Sequence, residues 1–363
     1  MIKIGIMTFH WATNHGAILQ AYAMQTYLSK EFHADVQIID YFPKKYEKNI
    51  LNCIHIFHPE ITFHNMKELG KEKKLKIFRK KYLNLSKRYF SQNELINSNL
   101  DYDVLISGSD QVWNPHYTSN GENRPTFSYY LNFGKNDCIR IAYSVSFGCE
   151  DYPKDIIKKS IKYIKKLDFI SVREDSGINI LNKEKIYKVK KTADPTLLIP
   201  RSEYEKLLLA SKCSDSSTGI VYYVLRKQNK KTQELIDTII KCVAKGKQLN
   251  FIENTSMETW LNSIKNADLL ITNSFHGVIL SLVFHSNFLV VLENGSLAGM
   301  NDRLFSILDK VGLKNRIIIS KDKNSIKKVI NSKIDWKYVD ERLADFSLES
   351  KKFLKNAIQK LNK

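Results

Sequence analysis

The sequence predicts an α/β protein made of two Rossmann-like domains, each built on a parallel sheet. Three observations carry that prediction. Short apolar runs alternate with longer runs of helical period nearly throughout, the pattern of layered βα units. At 363 residues the chain exceeds the length at which one core usually stops growing, and 43% apolar content is ample for two. Asp194-Pro195-Thr196-Leu197-Leu198-Ile199-Pro200 sets prolines on both sides of an apolar stretch and reads as a hinge, because proline interrupts pairing. Domains are therefore expected over residues 1–200 and 201–335, with a basic helix at 339–361 crossing back onto the first.

The first strand is Lys3 to Thr8, followed by Phe9-His10-Trp11-Ala12-Thr13-Asn14-His15-Gly16 and a helical run from Ala17 to Phe32. Val36 to Tyr41 is a short strand, residues 43–64 read as irregular, and a basic helix covers 66–83. Asp103 to Ser107 is the next strand and ends in the small-residue turn Gly108-Ser109-Asp110. Further strands fall at Ile139 to Ser146, Phe169 to Val172 and Lys188 to Thr192. The second half restarts with strand Gly219 to Leu225, helix Lys231 to Ala244, strand Gln248 to Ile252 and helix Met257 to Ala267. A strand beginning at Leu269 stops at Thr272-Asn273-Ser274-Phe275-His276-Gly277, and the apolar run Val278 to Phe284 opens a helix. Phe288 to Leu292 is one more strand, and Arg303 to Leu308 opens one more helix.

Composition narrows the function. No apolar run approaches the roughly 20 residues of a membrane-spanning helix, and Met1 to Met7 is too short and strand-like for a signal peptide. The expected location is the cytosol. Five cysteines without a C-x-x-C pair point to inert thiols rather than disulfides or zinc. His55, His58 and His64 fit no helix-face ligand pair, so no metal site is expected. The net charge of +19 favours anionic partners, yet its Lys-rich runs read first as solvated helix faces. A basic face also suits peripheral contact with an anionic membrane. Nothing resembles a nucleic-acid-binding motif.

In open α/β sheets, ligands bind outside the carboxyl ends of the strands. Two such sheets joined by a hinge suggest a cleft lined by the turns at Thr8 to Gly16, Ser107 to Asp110, Ser171 to Ser176 and Thr272 to Gly277. An imidazole at the last turn suits proton transfer near neutral pH, or a plain capping role. Asp110 reads equally as helix cap, sugar ligand or base. Trp113 reads as a sugar-stacking ring or as core, and Gly16 as a phosphate contact or as backbone geometry. His10 and His15 flank a loop where they either meet an acceptor or cap structure. Arg173 opens a helix against the dipole, which a bound anion or a salt bridge to Asp175 or another acid would relieve.

Thr8-Phe9-His10, Asn14-His15-Gly16-Ala17-Ile18-Leu19-Gln20-Ala21-Tyr22-Ala23 and Ser107-Gly108-Ser109-Asp110-Gln111-Val112-Trp113-Asn114 resemble, in order, the polysaccharide pyruvyl transferase family. So do Ser171-Val172-Arg173-Glu174-Asp175-Ser176, Asp194-Pro195-Thr196 and Ser274-Phe275-His276-Gly277. The resemblance implies a GT-B-like fold and transfer of a pyruvyl group from phosphoenolpyruvate, as donor substrate without a cofactor, to a sugar diol. The product is a cyclic ketal on a cell-surface polysaccharide or its lipid-linked precursor. It implies His276 as proton-transfer group and Arg173 toward the donor; beside them Asp110 is read as assisting deprotonation of an acceptor hydroxyl, and Ser274 and Gly277 as donor-side contacts. His10, Asn14, His15, Gly16 and Trp113 then fall on the acceptor side. Several family members carry an arginine where this chain has Ser274, so Arg303 is expected to supply a donor-binding cation. Two alternatives stand beside this: a GT-B nucleotide-sugar glycosyltransferase, and a non-catalytic assembly protein of the same pathway.

Overall fold

In the computed structural model, the first seven strands form one sheet and the last four another. The structure describes residues 1–46, 59–118, 122, 126–211, 219–226, 228–243 and 248–362. The chain divides into Met1–Ile199 with Phe346–Lys363, and Pro200–Asp345.

The first unit runs β1 (Lys3–Met7), α1 (His15–Phe32), β2 (Asp35–Tyr41), α2 (Pro59–Tyr82), β3 (Leu85–Tyr89), α3 (Gln92–Ile96) and β4 (Val104–Ser107). It continues with α4 (Pro115–Thr118), β5 (Ile139–Val145), α5 (Lys154–Ile164), β6 (Phe169–Val172), α6 (Asp175–Lys183) and β7 (Val189–Lys191). All pairs are parallel, in the order β3-β2-β1-β4-β5-β6-β7. The chain builds outward from β1 and then crosses back to start again at β4. The loops after β1 and β4 therefore diverge, and this is the point where such sheets open a crevice. Central strands are buried on both faces, as the continuous apolar runs of β1 and β4 require. Gly5 belongs to this packing: a Cβ there would lie 2.8 Å from the Tyr102 ring.

The second unit runs α7 (Arg201–Ser211), β8 (Ile220–Tyr223), α8 (Lys230–Val243), β9 (Leu249–Phe251), α9 (Met257–Lys265), β10 (Leu269–Thr272) and α10 (Phe275–Phe284). After β11 (Phe288–Val290) come α11 (Asp302–Lys310), α12 (Lys323–Asn331) and α13 (Trp336–Ile358). Its sheet is parallel in the order β11-β10-β8-β9, so the crossing falls between β8 and β10. From Phe346 onward, α13 belongs to the first unit, where Ser350 accepts the Ala193 N–H at 2.8 Å and Leu354 is fully buried.

Several elements differ from expectation. Strand β3 was not foreseen: as a sheet edge its residues are mostly partly or fully exposed, so no apolar pattern marks it. Helix α2 starts at Pro59 rather than 66, within the stretch expected to be irregular, with proline in the position that suits a first helical residue. Helices α7 and α12 also went unforeseen. His55 and His58 lie outside the described residues, as do Cys53 and Cys213. Among the described residues, no helix is long and apolar enough to cross a membrane.

Candidate functional site

In the first unit, the polar residues gather at the carboxyl ends of β1, β4, β5 and β6 and just beyond β7. Strand β5 slips register between Ala142 and Val145, and Ser144 there takes a left-handed φ of 49°. Such a bulge redirects the residues around it. Asp110 bridges to Val145 with φ of 75°, an uncommon conformation for a non-glycine residue, and its carbonyl accepts the Ser146 N–H at 2.9 Å. Its carboxylate accepts the Gln111 N–H at 2.9 Å and lies 3.7 Å from Arg173.

Arg173 follows β6 and is 4% exposed. Its Nη1 donates to Asp194 at 2.9 Å, and Glu174 lies 3.8 Å from its Nε. Asp194 also accepts from the Ser109 hydroxyl at 2.8 Å and from both the N–H and hydroxyl of Thr196, at 3.0 and 2.6 Å. Glu174 in turn accepts the Phe147 N–H at 2.9 Å. One guanidinium thus serves three carboxylates drawn from three strand ends. The expectation that Arg173 clamps a donor is corrected on this ground: its charge is already balanced, and Asp194, not Asp175, is its main partner. Asp175 pairs instead with Lys191 at 2.9 Å.

Two acceptor-side expectations, Trp113 and His10, are corrected as well. Trp113 is fully buried, stacks on Tyr130 with centroids 5.1 Å apart, and donates its indole N–H to the Tyr129 carbonyl at 3.1 Å, so it is core rather than a sugar platform. His10 is 1% exposed, with Nδ1 3.2 Å from the Thr8 carbonyl and Nε2 2.9 Å from Asp40. Both ring nitrogens face acceptors, so His10 is spent on structure. Burial alone would raise the Asp40 carboxyl, but His10 and Arg88 outweigh it and hold Asp40 below its ordinary value. Asn14 caps α1 by accepting the Ala17 N–H at 3.2 Å, with His15 and Gly16 buried in the first turn behind it.

In the second unit, Ser274 caps α10 by accepting the Gly277 N–H at 3.2 Å. A Cβ on Gly277 would lie 3.0 Å from Thr272 Oγ1, and that hydroxyl donates to the Tyr223 carbonyl at 2.6 Å. Ser274 and Gly277 are thus engaged in starting the helix. That tight start holds His276, 6% exposed, in the first turn of α10, just beyond β10. Its ring stands edge-on to Phe275 with centroids 5.3 Å apart. Arg303, in the first turn of α11, lies over the other member of that pair, 5.9 Å from the Phe275 centroid, with Nε donating to the Met300 carbonyl at 3.2 Å.

Three residues here escaped the sequence reading. Asn273 accepts the Leu225 N–H at 2.7 Å and donates to the Leu225 carbonyl at 3.0 Å and to Glu293 at 2.9 Å. Glu293 pairs with Arg226 at 3.1 Å. Asn273 stood inside the singled-out turn. Arg226 and Glu293 also follow strand ends, but neither sits in a motif.

Two parallel-sheet α/β units with polar strand-end turns define a GT-B-like architecture. UDP-N-acetylglucosamine 2-epimerase from Rickettsia bellii has this fold: it aligns with a TM-score of 0.53 and 10% identity, over 100% of this chain and 97% of that one. The 2-epimerase of Methanocaldococcus jannaschii aligns at 0.48 and 13% identity over 93% and 95% of the two chains. The Escherichia coli heptosyltransferase WaaC with ADP aligns at 0.37 and 12% over 82% and 90%. No curated protein matches the sequence. The chain belongs to the polysaccharide pyruvyl transferase family, whose model matches residues 14–295.

Proposed function

We propose that the protein moves the pyruvyl group of phosphoenolpyruvate onto two hydroxyls of a sugar, forming a cyclic ketal and releasing phosphate. The observation that carries this reading is family membership over residues 14–295, a span that includes the buried His276 in the first turn of α10. His276 delivers a proton to the methylene carbon of the enol, and the central carbon becomes cation-like. A sugar hydroxyl adds to that carbon and returns a proton to His276, which by then is the base. The C–O bond to phosphate breaks, the second hydroxyl adds, and its proton leaves with phosphate. Per turnover, one proton ends on the new methyl group and the other on phosphate. Arg303 balances donor charge.

The acceptor is a surface polysaccharide or its lipid-linked precursor, and the net charge of +19 supports work beside an anionic membrane face. The test is incubation with phosphoenolpyruvate and candidate sugars, following phosphate release and ketal formation by mass. His276→Ala is expected to lose about 10²–10⁴-fold in turnover, the span of a general acid. Near-normal turnover in that variant overturns the role of His276. Turnover of a nucleotide sugar with no use of phosphoenolpyruvate overturns the donor and favours glycosyl transfer.

A further inference from the structure

We propose that Arg226 is a phosphate contact in the second unit, holding the phosphoryl group of a small anionic donor; only the identity of that donor rests on the pyruvyl-transfer reading. The topology places it. Strands β8 and β10 flank the crossing of the second sheet, and their ends are level, since Tyr223 pairs with Thr272. Arg226 and Phe275 each lie three residues beyond that pair, and His276 follows directly. The two loops therefore leave the sheet where an open α/β fold takes its ligand.

The loop carrying Arg226 is fastened rather than loose. Asn273, the residue after β10, grips both the N–H and the carbonyl of Leu225, and Gln228 donates to the same carbonyl at 2.8 Å. Arg226 itself sits at a left-handed φ of 65°, a conformation an arginine seldom takes without a surrounding structure that enforces it. Glu293 meets the guanidinium at Nη1 alone, 3.1 Å away. That carboxylate is itself buried: the same oxygen accepts from Asn273, and the Glu293 backbone is clasped on both sides by Asn301 at 2.9 and 2.8 Å.

An acid on one corner of a planar fork fixes the plane and leaves the Nε–Nη2 edge. That edge pairs bidentately with phosphate. Among the described residues it meets no protein partner, and the side chain is 37% exposed. Arg173 is the opposite case, 4% exposed and ringed by three acids. Arg226 is thus a cation already held in place whose best edge is open to an anion, beside the turn that carries the imidazole.

The test measures binding of phosphoenolpyruvate, inorganic phosphate and UDP to the full chain by calorimetry, for wild type, Arg226→Gln and Arg226→Lys. The glutamine variant is expected to weaken whichever phosphate compound the wild type binds on the order of tenfold or more. Its melting temperature falls only slightly, because the buried Glu293 loses a charged partner but keeps its Asn273 donor. Lysine restores the charge without the edge and recovers only part of the loss. If phosphoenolpyruvate turnover is present, KM for it rises while kcat holds. Wild-type affinity in Arg226→Gln for all three compounds overturns the inference alone. Binding of UDP but not phosphoenolpyruvate, lost in Arg226→Gln, overturns the donor and keeps the contact. A wild type that binds none of the three overturns both.

Discussion

Replacing Asp194 with alanine removes the acceptor of four hydrogen bonds, from Arg173, Ser109 and the N–H and hydroxyl of Thr196. It also leaves a 4% exposed guanidinium without its nearest counter-ion. Breaking a buried pair by deleting one partner costs about 3–5 kcal/mol. Asp110 and Glu174 remain at 3.7 and 3.8 Å and offset part of that, so the lower half of the range applies, about 3–4 kcal/mol. Amide hydrogen exchange followed by mass spectrometry reads the first unit separately from the second. Peptides covering β5 and β6 are expected to lose protection by roughly a hundredfold to a thousandfold, at about 1.4 kcal/mol per factor of ten. Asp194→Asn keeps one carbonyl acceptor but not the charge and should fall between the two. A loss under about threefold in the alanine variant contradicts the balance of charges drawn around Arg173. So does an asparagine variant indistinguishable from wild type.

Two further outcomes follow from titrating groups. Asp40 is held below its ordinary value of 3.8, so it stabilises the fold above that pH, and the contribution is lost as pH falls through the lower folded value. Asp40→Asn should therefore be less stable than wild type at neutral pH, with the gap closing below 3.8 in acid denaturation curves; a gap that widens there refutes the assignment. Burial, with help from Glu174 and Asp151, pushes the Cys149 thiol up to about 11. At pH 8 its alkylation should lag a free thiol on the order of a hundredfold and accelerate toward pH 11, as peptide mapping would show. Labelling at the free-thiol rate refutes it.

Much of the fold was legible because parallel strands buried on both faces leave continuous apolar runs, as at Val104 to Ser107 and Leu269 to Thr272. Leu85 to Tyr89 left no such mark, because an edge strand needs no apolar face. The turns that gather polar residues were legible as turns. What each side chain does there was not. Arg173 meets its acids 21 and 63 residues away, and whether an arginine is neutralised depends on those distant neighbours. Trp113 read as sugar platform or as core, and what decides for core is the chain folding back to set Tyr129 and Tyr130 against it. Arg226 went unseen because nothing in its residue type signals a left-handed turn.

The late return of residues 346–363 to the first unit bears on how the molecule is made. On the ribosome, amino-terminal domains ordinarily finish first. Here the amide of Ala193 waits for the hydroxyl of Ser350, and the slot filled by Leu354 and Ala357 stays empty until the second unit has already emerged. The nascent chain must therefore carry a first unit whose sheet is paired but not fully covered, with apolar surface showing, through the synthesis of nearly 150 further residues, from Pro200 to Asp345. That exposure lasts through translation and ends only when the last helix docks.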